Sequence, residues 1–176
     1  MRSGMFRNWR IGTLSGALLA AYFIPVWAVV AVRIMVSPIH GLFEQPSVSV
    51  ALFVSDYLQL AATATVRVAW LLALGRLTVV AFFAIFLVST ISASIRRRGA
   101  SNEALAIAIA IGSIISFASM MMASRVSEAA ALQLHATELL MLLGTAIVML
   151  CERPRRPENA VAERLSFQQS QLLDNR

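Results

Sequence analysis

Polar residues in this chain collect between long apolar runs, and that alternation sets the architecture. Ile11 to Val32 carries no charge and is flanked by Arg10 and Arg33. Leu77 to Ile95 is closed by Arg96, Arg97 and Arg98. Glu103 to Ser124 and Leu132 to Cys151 are the third and fourth runs, the last closed by Glu152, Arg153, Arg155 and Arg156. About 20 apolar residues in a helix cross a hydrocarbon core of roughly 30 Å. The pattern therefore predicts an all-α integral membrane protein, a bundle of four transmembrane helices over 11–32, 77–95, 103–124 and 132–151. The first run is longer than the roughly 7–15 apolar residues of a cleaved signal, so it reads as an uncleaved anchor. Pro25, inside it, is a place for a kink.

Pro46 to Arg76 has a different rhythm. It is apolar enough to be tried as a further crossing, with Asp56 its only charge before Arg67. Yet Ser49, Asp56, Thr63 and Arg67 recur at helical spacing and would line one face. This predicts an amphipathic helix over about 46–73, lying on the outer membrane surface or over the bundle there. A partly re-entrant segment is the alternative, tolerated only when buried in protein.

Composition agrees with a membrane solvent. Of 176 residues, 59% are hydrophobic and 14% charged, against about 25% charged in soluble domains. The mean hydropathy is +0.74. All 15 basic residues are arginine, and the net charge is +6. Such a balance in a soluble chain would suggest nucleic acid. Here the arginines sit at the ends of apolar runs, so topology accounts for them and no nucleic-acid partner is expected.

Positively charged flanks stay inside. With the N-terminus cytoplasmic, Arg2, Arg7, Arg10, Arg96–Arg98, Arg153, Arg155, Arg156, Arg164 and Arg176 share that side. Only Arg33, Arg67, Arg76 and Arg125 fall outside. The expected location is a bacterial-type inner membrane, with both termini cytoplasmic. Residues 1–152 form the membrane domain. Residues 153–176 form a cytoplasmic tail with a short helix from Glu158 to Leu173.

Two spans carry small residues every fourth position: Gly12, Gly16 and Ala20 in the first, and Ala104, Ala108, Gly112 and Ser116 in the third. Such stripes let helix backbones approach closely. They fit packing within one chain, a homo-oligomer, or docking of another membrane protein.

Candidate chemistry centres on Glu138. Counting back from Cys151 puts the outer end of the last span near Leu132, so Glu138 lies roughly 9 Å inside the apolar slab. His135 is one turn away on the same face, and Thr145 and Glu152 continue it. A buried ionisable group needs a partner or a function. Glu138 could pair with Arg125, Arg33 or Arg67 and only hold helices together. It could instead handle a proton or cation, or belong with His135 and Arg125 to a ligand site open outward. His40, His135 and Met121 fall toward the same side, and imidazole with thioether suits copper. Two histidines could also hold a haem, but nothing matches their depths. No cofactor is required by any motif.

No catalytic signature appears: neither G-x-S-x-G, H-E-x-x-H, a P-loop nor a dinucleotide fingerprint. The single cysteine, Cys151, excludes an internal disulfide. The expected function is a non-enzymatic accessory or assembly subunit. It would act through helix–helix association with a membrane-protein partner or with copies of itself. The alternatives are a small proton- or cation-coupled transporter centred on Glu138, or a metal-binding membrane protein.

Overall fold

A computed structural model describes residues 11–91 and 100–152. The expected tail helix, the arginines of the termini and of the 96–98 cluster, and residues 92–95 of the expected second span lie outside the described residues. The described residues are helical, with no strand among them. Four helices are long and apolar enough to cross a membrane. They are α1 (Ile11–Val36), α4 (Ala62–Ile91), α5 (Ala100–Arg125) and α6 (Ala129–Cys151). Between α1 and α4 come α2 (Pro38–Phe43), α3 (Val48–Leu52) and a π-helical turn (Phe53–Tyr57).

The four long helices alternate in direction. Helix α4 lies against α1 and α5, and α5 lies against α6; α6 returns to α1 through a thinner contact. One end of the bundle is capped by α2, α3, the π turn and the α5–α6 turn. At the other end Gly12 meets Glu152, whose Oε2 accepts the Gly12 backbone N–H at 2.9 Å.

Buried positions trace one stripe per helix. On α6 they are Ala131, His135, Glu138, Leu142 and Thr145, alternating four and three apart. That spacing keeps a single seam toward the neighbours, as in coiled coils. On α4 the stripe reads Ala69, Ala73, Arg76, Val79, Phe83, Phe86 and Ser89. An arginine thus stands in the middle of an apolar seam. The main core joins Phe23, Trp27, Phe83, Phe86, Leu105, Ala108 and Leu142. Phe23 packs edge-on to Trp27 at 5.0 Å and tilted against Phe83 at 5.7 Å.

The small-residue positions face inward in this chain. A Cβ on Gly16 would lie 2.6 Å from Leu105 Cδ2 and 3.0 Å from Phe86 Cζ. Gly112 faces Leu142 and Val79, and Ala20, Ala108 and Ser116 are fully buried. Ala104 is buried as well.

The stretch from 46 to 73 differs from the continuous surface helix that its pattern predicts. Helix α3 and the π turn bury Val50, Ala51 and Val54 against Ile34 and Leu42 on one side and Ala69 and Ala73 on the other. Gln59 then takes φ 46 and ends the segment, and α4 begins at Ala62, well before the expected Leu77. Ser49 is buried while Asp56, Thr63 and Arg67 are exposed, so the supposed polar face is divided among α3, the π turn and α4. The physical reason is burial. Val50, Ala51 and Val54 cover more apolar surface by folding over the end of the bundle than they would on a straight helix.

Two close turns complete the cap. Gly41 lets α2 fold back onto α1, since a Cβ there would meet the Ile34 Cα at 2.7 Å. Helix α5 ends in a Schellman turn. Ser127 has φ 57, and the Glu128 N–H donates to the Ala123 carbonyl at 3.0 Å.

Candidate functional site

Glu138 is 1% exposed, and its carboxylate takes donors from three helices. The Trp27 indole N–H on α1 donates to Oε1 at 3.0 Å. The His135 Nδ1 is 3.0 Å from Oε2, and the Ser116 hydroxyl on α5 reaches the same oxygen at 3.4 Å. His135 is equally buried, and its Nε2 lies 3.3 Å from the Pro46 carbonyl. A single carboxylate therefore ties α1, α5 and α6 together, and His135 extends the tie to the cap.

The fourth long helix joins through Arg76. Its guanidinium carbon lies 5.7 Å from the centre of the Trp27 ring, and Nη1 donates to the Ser47 hydroxyl at 3.0 Å. Arg76 makes no direct ion pair with Glu138. The indole stands between them, taking the cation on its π face and giving its N–H to the carboxylate. Each charge polarises the ring in the sense that favours the other. Arg76 and Glu138 also act on each other electrostatically. Arg76 Nε and the Ser49 hydroxyl, both buried, have no hydrogen-bond partner.

Both His135 ring nitrogens face acceptors, the Glu138 carboxylate and the Pro46 carbonyl. Two proton distributions fit the same heavy-atom positions. Either an imidazolium donates to both, or a carboxylic acid donates to Nδ1 while Nε2–H donates to the carbonyl. The pair can hold one proton in either place without moving.

Sequence depth singled out Glu138 and His135, and the fold brings the two into contact. Ser116, expected only as part of a small-residue packing stripe, joins them through its hydroxyl. The arginine over this site is Arg76, and none of the candidates Arg125, Arg33 and Arg67 is bonded to Glu138. Arg33 pairs with Glu44 at 2.7 Å on the surface. Arg67 is exposed along a groove with Trp70 and Leu74. Arg125 lines a surface groove with Phe53, Tyr57 and Met121. The proposed copper set is not brought together either. His40 is exposed beside Arg33 and Glu44, Met121 is exposed in the Arg125 groove, and His135 is buried against Glu138. Among the described residues no three histidine, cysteine or carboxylate side chains converge as a metal site.

Trp27 and Arg76 are the partners that sequence reading missed. Their signal was available in the seams. Trp27 continues the Gly12, Gly16, Ala20 and Phe23 face, and Arg76 falls in register with Ala69, Ala73, Val79 and Phe83.

A second polar contact lies lower in the bundle. The Ser15 and Thr145 hydroxyls are 3.1 Å apart, and Thr145 also donates to the Met141 carbonyl at 3.0 Å. Beside it the α1–α6 seam opens into a shallow groove of about 510 Å³. Comparison with protein families, with characterised proteins and with solved structures finds no match to this chain.

Proposed function

We propose that this chain is a non-enzymatic protein of a bacterial-type inner membrane, with both termini cytoplasmic and the capped end outside. In this reading it works by association, as an accessory or assembly subunit. The arginine distribution supports the orientation. One observation carries the functional reading: the Glu138 carboxylate, at 1% exposure, has both oxygens occupied by Trp27, His135 and Ser116. A group so engaged, and so fully enclosed, acts as a cross-brace between helices and is screened from a solute. The long helices meanwhile turn Leu14, Leu18, Leu71, Leu74, Leu140 and Ile147 outward. The groove in the α1–α6 seam includes Gly144, beside which a Cβ would meet nothing within 4 Å. A helix from another membrane protein would lay its side chains into that seam.

Purification of the full chain in mild detergent tests this. A stoichiometric membrane partner retained by wild type, and retained equally by Glu138→Gln, fits the brace. Recovery of the chain alone, or as a pure homo-oligomer, counts against an accessory role.

A proton- or cation-handling role is the second reading. It is favoured by the His135 ring, which bridges Glu138 to the Pro46 carbonyl and can share one proton. Purified protein in liposomes should then carry a proton flux that Glu138→Gln abolishes while folding and assembly persist. Absence of flux in wild type rejects this reading.

A further inference from the structure

The face between α1 and α4 near the capped end holds an apolar groove of about 480 Å³, lined by Met35, Val66, Arg67, Trp70, Leu71 and Leu74. Arg67 is its one charged residue, exposed and with no acidic partner among the described residues. We propose that this groove seats an anionic phospholipid, with the phosphate on Arg67 and one acyl chain along Trp70, Leu71 and Leu74.

Depth supports the assignment. Glu138 lies roughly 9 Å inside the apolar slab, and Arg76 stands across the Trp27 ring from it. The six residues of α4 from Arg76 back to Trp70 rise about 9 Å, which puts the outer edge of the hydrocarbon core near Trp70. Arg67 then stands one helical turn beyond that edge, at headgroup level. Trp70 falls at the boundary, where its amphipathic ring is favoured. Leu74 lies one turn inside. The polar and apolar parts of the groove are thus ordered as they are in a lipid.

Charge selects the headgroup. A guanidinium binds phosphate through paired N–H donors. Arg33 on the neighbouring helix is already paired with Glu44, but nothing among the described residues competes for Arg67. A zwitterionic lipid brings its own ammonium group to that phosphate and gains less. A partner helix is the poorer occupant. Close helix packing favours small residues, and this groove is walled by tryptophan, leucine and the arginine stem, whereas Gly16, Ala20, Ala108 and Gly112 are turned into the bundle.

The proposal rests on membrane insertion and not on the accessory role, because the purified chain alone can test it. Full-length protein is mixed with phosphatidylglycerol and phosphatidylcholine in detergent, and retained lipids are counted by native mass spectrometry. Wild type should retain phosphatidylglycerol preferentially. Arg67→Gln should weaken that retention about fivefold, equivalent to the roughly 1 kcal/mol of one interfacial arginine. Leu74→Asn, which keeps the charge, should also weaken it by spoiling the acyl seat. Arg125→Gln removes the same charge elsewhere and should leave this retention in place. Three results overturn the proposal. One is equal retention of the two lipids by wild type. The second is equal loss in the Arg67 and Arg125 variants, which means surface charge alone. The third is unchanged binding in Leu74→Asn, which means a headgroup contact without a groove.

Discussion

Replacing Trp27 by phenylalanine isolates the bond on which the buried network turns. The change keeps an aromatic ring against Phe23, now 5.0 Å away edge-on, and removes the N–H that donates to Glu138 at 3.0 Å. Hydrogen bonds between membrane helices average about 0.6 kcal/mol and reach about 1.7. This one belongs at the upper end, because its acceptor is a carboxylate and bonds to charged groups are stronger. About 1.5 kcal/mol is therefore assigned to the bond. A further ~0.5 kcal/mol goes to the weaker π face offered to Arg76, giving a total loss of about 2 kcal/mol. The assay is reversible unfolding in mixed micelles, followed by far-UV circular dichroism, for wild type, Trp27→Phe, Glu138→Leu and the double variant. With the acceptor already gone, Trp27→Phe should cost only the ring portion. The coupling energy should then exceed about 1 kcal/mol. Unrelated sites add to within about 0.5 kcal/mol, so coupling below that value would refute the bond and, with it, the description of Glu138 as a brace.

Two further comparisons probe the packing. Gly16→Val should destabilise by about 1–3 kcal/mol, because its Cβ meets Leu105 and the rigid Phe86 ring. Gly144→Ala meets nothing within 4 Å and should stabilise the isolated chain by up to about 1 kcal/mol through helix propensity; the same micelle titration reads both. Arg33→Gln should cost under about 1 kcal/mol, since the Arg33–Glu44 pair is exposed at both ends; a loss of several kcal/mol would show that the pair supports the cap.

The long apolar runs made the helices α1, α5 and α6 legible within a few residues, because length and hydropathy dominate there. Glu138 and His135 were legible by a similar route, since the length of α6 forces them below its end. Their partners were less visible. Arg76 sits next to the first residue of the expected second span, so it read as a flank. Its place in the α4 seam shows only when α4 is extended back to Ala62. That extension was hidden because no glycine or proline interrupts residues 47–73. A helical pattern with no punctuation reads as one helix. What divides it is tertiary: the apolar side of α3 finds a better surface on the end of the bundle than along a straight rod.

The division at Gln59 can be tested by a change whose sign depends on which arrangement is right. Gln59 has φ 46, a left-handed conformation that costs an L-residue roughly 1–2 kcal/mol and glycine nearly nothing. Gln59 is exposed, and nothing bonded to its side chain is lost on replacement. If the chain turns there, Gln59→Gly should raise stability by about 1 kcal/mol, less the extra entropy that glycine brings to the unfolded chain. If residues 46–73 form one continuous surface helix, glycine falls in a helix interior and should lower stability by about 1 kcal/mol. Ser127→Gly calibrates the measurement. Ser127 has φ 57 at the end of α5, between helices whose boundary follows directly from the apolar runs. Both variants rising together in the micelle titration would support the folded-over cap. A rise for Ser127→Gly with a fall for Gln59→Gly would restore the continuous helix. It would also remove the cap that carries Pro46 and Ser47 to the His135 and Arg76 side chains.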